Sequence, residues 1–252
     1  MGVGAVGGVS CEQTTEFVAT VSFDIPPVNA MDAQSYAAAS DVLTDLASSE
    51  DIHVVVLTGH GRRAFCAGTD TSVFANDAAV QETTVQARRF FEVLSSYPLP
   101  LVGALNGPAV GGGAMIASEC DVLVAASHTY FEIPEVQLGV VGAASHLKRL
   151  APFFKIKRMM LLGERLTAQD AQSAGAILRT VEADRVLPLA HDIAQQIASL
   201  DPAAVREALS IFRQPESLNA FKGYESELAA LERLRSTQSI RPSRATNPME
   251  EV

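Results

Sequence analysis

Apolar positions along this chain switch between alternation and helical spacing, and each switch marks a predicted element. Phe17–Phe23 sets apolar against small polar residues and predicts a strand, which Pro26-Pro27 end. Asp32 then caps a helix expected to reach about Ser48. Residues 52–57 are a largely β-branched apolar run, the pattern of a parallel strand covered on both faces, closed by Gly59 and Gly61. A polar stretch after Asp70 leads into a helix over about 79–97. Leu101–Leu105 predicts the next strand, a glycine turn opens the helix Ala114-Met115-Ile116-Ala117, and 122–125 is a further strand. Beyond Pro152 helical periodicity takes over at 155–162, 168–175, 188–200, 203–212 and 217–235, with only 177–181 extended. The pattern predicts an α/β core with parallel strands over residues 15–200 and a helical region over 201–252, whose end, 236–252, is expected to be loosely ordered. The glycine-rich residues 1–14 read as a flexible leader without the charged and apolar parts of a secretory signal.

Composition narrows the chemistry. The 252 residues are 48% hydrophobic and 19% charged, with ample material for a core. Lys and Arg number 19 against 29 Asp and Glu, a net charge of −10, which argues against nucleic acid or an anionic membrane as the main partner. An anionic small molecule stays compatible where basic residues cluster, at Arg62-Arg63, Lys148-Arg149 and Lys155-Lys157-Arg158; a solvated face is the plainer account of each cluster. Cys11, Cys66 and Cys120 suit neither a disulfide framework nor a zinc site, so reduced thiols in a cytoplasmic protein are expected. His53, His60, His128 and His191 form no metal-ligand spacing, and no metal is expected. No run reaches transmembrane length.

Two stretches remain that could carry chemistry. Phe65-Cys66-Ala67-Gly68-Thr69-Asp70 and Asn106-Gly107-Pro108-Ala109-Val110-Gly111-Gly112-Gly113 each put backbone N–H groups beside the start of a helix, where they lack partners. Such a place favours negative charge, including charge that exists only in a transition state. If the two turns converge, the N–H groups of Thr69 and Gly112 hold one carbonyl oxygen between them. Cys66 has no base in a recognisable arrangement and reads as a small packed side chain.

These motifs, followed by Cys120-Asp121 and Ile133-Pro134-Glu135-Val136-Gln137-Leu138-Gly139, resemble the crotonase (enoyl-CoA hydratase/isomerase) superfamily over about residues 15 to 200. Leu161-Leu162-Gly163, Thr167-Ala168 and Ala171 before Gly175 agree with it. The resemblance implies a spiral of ββα turns, an acyl-CoA substrate with no separate cofactor, and a homotrimer or hexamer built through the C-terminal region. It also implies an oxyanion hole at Thr69 and Gly112, and substrate contacts at Ala67, Gly68, Asp70, Gly111 and Met115.

Hydratases of this family use two glutamates, one in the Pro-Glu motif and one on the helix after the triple glycine. Glu135 stands at the former position; the latter is Met115, which cannot exchange a proton. Glu119 lies one helical turn later and His146 follows the Pro-Glu segment. Either can replace the missing acid, and His146 can equally meet a CoA phosphate or be a polar residue at a helix start, with Ser145 as a cap. One carboxylate suffices to shuttle a proton between C2 and C4, so double-bond isomerisation is the expected reaction. Hydration with a replacement acid, acyl-CoA hydrolysis, and acyl-CoA binding without turnover are the alternatives. The acyl pocket is expected from 72–85, Met115 and the C-terminal helices.

Overall fold

A computed structural model describes residues 3–139, 142–143 and 145–213. The chain begins with β1 (Val3–Val6), β2 (Val9–Thr15), β3 (Phe17–Phe23), α1 (Ala33–Ala47) and β4 (Ile52–Gly59). A 3-10 turn (Thr71–Ala75), α2 (Asp77–Ser95), β5 (Leu101–Leu105), β6 (Ala109–Val110), α3 (Gly112–Glu119), β7 (Val122–Ala126) and β8 (Tyr130–Glu132) follow. After a second 3-10 turn (Leu147–Arg149) come α4 (Phe153–Leu162), β9 (Leu166–Thr167), α5 (Ala168–Ser173), β10 (Arg179–Val181), α6 (Val186–Ala198) and α7 (Pro202–Phe212). Among the described residues, those up to Ser199 form one compact unit and those from Leu200 belong to a second.

Seven strands make one sheet in the order β1-β2-β3-β4-β5-β7-β10. The first three are antiparallel; β3, β4, β5, β7 and β10 run parallel. Strand periodicity divides its side chains between two cores. Ala19, Val21, Val55, Leu57, Leu101, Leu105, Leu123 and Ala125 join Leu43 of α1 and Phe90 and Leu94 of α2 on one face. Val18, Val54, Val56, Val102, Ala104 and Val124 join Val186, Ala190 and Ala194 of α6 on the other. Those three α6 residues recur every fourth position, so a single helical stripe closes that face. Double coverage is why β4 shows no polar alternation. Burying each such Val or Leu contributes about 1.5–3 kcal/mol.

Local chemistry sets the helix ends. The Asp32 carboxylate accepts from Ser35 N–H at the start of α1. Asn76 accepts from the N–H groups of Ala78 and Ala79, starting α2 two residues before the expected position. In the second unit, Asp201 caps α7, with Pro202 in its first turn, where no N–H is needed.

The expected flexible leader is corrected by the sheet. Residues 3–6 and 9–15 are strands, and Val9 to Thr15 pair with β3. Gly7 and Gly8, both left-handed at φ 56° and 71°, form the two-residue turn between Val6 and Val9. The extended stretch near 177–181 is shorter than expected, since β10 begins at Arg179. A second sheet, β6-β8-β9, went unpredicted; its strands are two or three residues long. The expected helix at 217–235 and the loose end at 236–252 lie outside the described residues.

Candidate active site

The two glycine turns meet because backbone pairing crosses them. Cys66 and Ala109 form a parallel bridge, with Phe65 N–H donating to Pro108 O at 2.9 Å and Val110 N–H to Cys66 O at 3.0 Å. On the other side, Met31 N–H donates to Gly68 O at 2.7 Å and Asp70 N–H to Met31 O at 2.8 Å. A residue flanked this way turns its own amide to the opposite side. Thr69 is that residue, and among the described residues its N–H has no acceptor. Gly112 opens α3, so its N–H lacks a partner in the preceding turn. The two segments touch: a Cβ on Gly112 would stand 3.4 Å from the Gly68 Cα. A Cβ on Gly113 would drive into the Cys66 carbonyl. The two turns are therefore neighbours in the backbone.

Two buried asparagines hold the loop that delivers this segment. Asn29 Nδ2 donates to the carbonyls of His60, Ala64 and Phe65 at 3.0–3.2 Å, and its Oδ1 accepts from Ile25 N–H. Asn106 Oδ1 accepts from Gly59 N–H while its Nδ2 donates to Gly61 O at 2.6 Å. Asn29 was not singled out from the sequence. Its signal is an amide side chain next to a proline pair, where the backbone takes a left-handed φ of 56°.

A cavity of about 540 Å³ is lined by both turns. Ala67, Gly68, Thr69, Gly111, Gly112, Met115 and Glu135 all line it. Its side walls are mostly apolar: Val73 and Phe74 from the 3-10 turn, Val80, Ala87 and Phe91 from α2, and Leu138. Among the described lining residues Glu135 is the sole anion and Arg88 the sole cation. The Pro134-Glu135 segment follows β8, which pairs with β6 beside the triple glycine. Glu135 Oε1 lies 2.7 Å from where a Cβ on Gly111 would stand, and Gly111 also has a left-handed φ of 53°. Glycine is thus required there by both backbone and carboxylate. Glu135 Oε2 is buried with no hydrogen-bond partner among the described residues. Burial pushes the carboxyl above the usual range, because the charged form loses solvation.

The remaining expected residues stand apart from the cavity. Asp70 does not line it; its carboxylate accepts from Ser72 N–H and caps the 3-10 turn. His146 and Glu119 do not line it either. Glu119 is buried and accepts from Arg149 at 2.8 Å, with His146 Nε2 at 3.7 Å. His146 lies against the Phe91 ring, 5.7 Å between centroids. Burial pulls its imidazole below the usual value, against the opposite pull of Glu119. Ser145 is not the expected cap: the 3-10 turn after it has no side-chain cap, and its Oγ lies 3.3 Å from His146 Nδ1. Burial pushes the Cys66 thiol up to about 12, and its Sγ accepts from Gly68 N–H, so it packs rather than reacts. Thr83 lines the cavity from the expected 72–85 segment, whereas Tyr36 and Phe91 line it without having been expected there. Tyr36 carries a signal in retrospect, as the only large side chain in the run Ala33-Gln34-Ser35-Tyr36-Ala37-Ala38-Ala39-Ser40.

Comparison with known proteins agrees with this arrangement. The family model for enoyl-CoA hydratase/isomerase matches residues 13–247. A Rhodococcus jostii protein, "(7aS)-7a-methyl-1,5-dioxo-2,3,5,6,7,7a-hexahydro-1H-indene-carboxyl-CoA hydrolase", is 31% identical over 223 residues, covering 87% of this chain and 86% of its own length. A carnitinyl-CoA dehydratase of Proteus mirabilis is also 31% identical, over 82% of this chain and 81% of its own. The crystal structure of an enoyl-CoA hydratase from Bacillus anthracis superposes with a TM-score of 0.84 at 28% identity, covering 92% of this chain and 95% of that one. The mixed α/β architecture is accordingly the crotonase fold with C-terminal helices. Paired turns facing a buried carboxylate, on this fold and with this family match, make the chain an acyl-CoA-processing enzyme of the enoyl-CoA hydratase/isomerase (crotonase) superfamily.

Proposed function

We propose that the enzyme moves a double bond along its acyl-CoA substrate, converting a 3-enoyl thioester to the 2-enoyl isomer with Glu135 as the single proton shuttle. The observation that carries this is the acid content of the cavity: among its described lining residues Glu135 is the only carboxylate, and Met115 occupies the other expected position. The thioester oxygen lies between the N–H groups of Thr69 and Gly112. Ionised Glu135 takes a proton from C2, the electron pair moves onto the oxygen, and a dienolate forms. Protonated Glu135 then returns the proton to C4, leaving the double bond between C2 and C3. A buried carboxylate is a stronger base than one in water, which suits a carbon acid. Each N–H aimed at the dienolate oxygen is worth roughly 10²–10³-fold in rate.

Supporting features surround this centre. The apolar walls suit an acyl chain, and exposed Arg62 and Arg63, just before the Phe65–Asp70 motif, suit CoA phosphates. Free thiols at Cys11, Cys66 and Cys120 fit a cytoplasmic setting, and the chemistry calls for no cofactor beyond the substrate's own CoA. Hydration ranks second, because Glu119 is engaged with Arg149 and His146 and lies outside the cavity lining.

The test is mass spectrometry of 3-hexenoyl-CoA and crotonyl-CoA incubated in heavy-oxygen water. The expected product is 2-hexenoyl-CoA without label, and Glu135→Gln lowers its formation by about 10²–10⁴-fold. Label in a 3-hydroxyacyl product establishes hydration instead, label in a free acid establishes hydrolysis, and binding without turnover establishes a non-catalytic protein. In a second arm, Met115→Glu supplies the missing acid and is expected to gain water addition to crotonyl-CoA.

A further inference from the structure

We propose that the Tyr36 hydroxyl is a third donor to the enolate oxygen, so that the oxyanion hole consists of two backbone N–H groups and one side-chain O–H. Tyr36 sits on α1 and is only 1% exposed, yet it lines the cavity. Its Oη lies 3.0 Å from Thr69 Oγ1 and 2.9 Å from the point a Cβ on Gly112 would occupy. One hydroxyl therefore stands beside both residues that supply the N–H groups. A side chain at Gly112 would displace it.

The hydrogen bonding leaves a proton to give. A phenol has one proton and two acceptor lone pairs. When the Thr69 hydroxyl donates to Tyr36 Oη, the Tyr36 proton is free to point at an oxygen held over Gly112. The ring cannot swing away, since it packs against Phe90 and Phe91 with centroids 5.6 and 6.3 Å distant. Burial, together with the charges that Cys66 and Glu135 would carry, holds the phenol well above its ordinary value, so it stays protonated as a donor. A donor fixed before reaction costs no reorganisation when charge develops on the oxygen. Thr69 thereby acts twice, by its own N–H and by orienting the Tyr36 hydroxyl.

This inference rests on the thioester oxygen binding at Thr69 and Gly112, and not on which bond is rearranged. Its test therefore reads binding rather than turnover. Acetoacetyl-CoA, which ionises to an enolate with its own ultraviolet absorption, is compared with butyryl-CoA, which does not. Tyr36→Phe keeps the ring and removes the hydroxyl. It is expected to weaken enolate binding about tenfold or more, to raise the apparent pKa of bound acetoacetyl-CoA, and to leave butyryl-CoA affinity within about twofold. Thr69→Val keeps the N–H while removing the orienting hydroxyl, and is expected to give a smaller loss in the same direction. Equal losses for both ligands, or none for the enolate, overturn the proposal. Should Tyr36→Phe fail to fold, Thr69→Val decides alone: an unchanged ratio of the two affinities overturns it. If the enzyme proves not to isomerise 3-enoyl-CoA, the binding ratio still stands or falls by itself.

Discussion

Glu135 is costly to the fold and useful to the chemistry for one reason: burial raises its carboxyl and leaves one oxygen without a partner among the described residues. The sign of the pH effect follows. A carboxyl raised in the folded state contributes stability that is fully present below its unfolded value and is lost as pH rises through the folded one. Glu135→Gln, neutral at every pH, is therefore expected to melt at a higher temperature than the wild type at neutral pH. The difference should vanish on acidification below the unfolded value. The same group sets the acid limb of kcat/KM, which is expected to fall as pH drops through a value above the ordinary glutamate figure of about 4.3. Melting curves and a pH–rate profile check both; a limb at or below the ordinary figure would falsify the assignment of Glu135 as the base.

Among elements, the decisive one is the crossing of the 65–70 segment under the start of α3. A Cβ on Gly113 would meet the backbone carbonyl of Cys66, which the Cys66–Ala109 bridge holds in place. Gly113→Ala is expected to cost about 3 kcal/mol in urea denaturation. Gly61→Ala provides the contrast: a Cβ there meets nothing, only the φ of +78° opposes it, and the cost is expected near 1 kcal/mol. The long apolar strands, the Asp32 cap and both glycine turns were legible in the sequence, because periodicity and turn chemistry act over a few neighbouring residues. The β6-β8-β9 sheet was not, since strands of two or three residues are too short to show a period. Gly7-Gly8 was misread for a different reason. Glycine richness suggests fraying, yet a glycine pair between valines is also the preferred centre of a tight hairpin. Asn29 and Tyr36 escaped because the carbonyls to which Asn29 donates and the hydroxyl beside Tyr36 lie more than 30 positions away.

Taken as a whole, the chain is acidic, with a net charge of −10, and no helix among the described residues is long and apolar enough to cross a membrane. In the first unit α4 leaves Phe154, Leu161 and Leu162 at 75%, 63% and 71% exposure. Apolar residues grouped on one helix suit the homotrimer or hexamer that the family resemblance implies, which we propose for this chain. Light scattering is expected to return three or six times the chain mass, and a monomer at micromolar concentration would count against it. The meeting of Gly68 with Gly112 has a further consequence for how the enzyme fails. Its donors come from segments more than 40 residues apart and share no helix or strand, so only the pairing of the two segments keeps them together. Heat is therefore expected to abolish activity once that pairing opens, and activity becomes a gauge of its integrity.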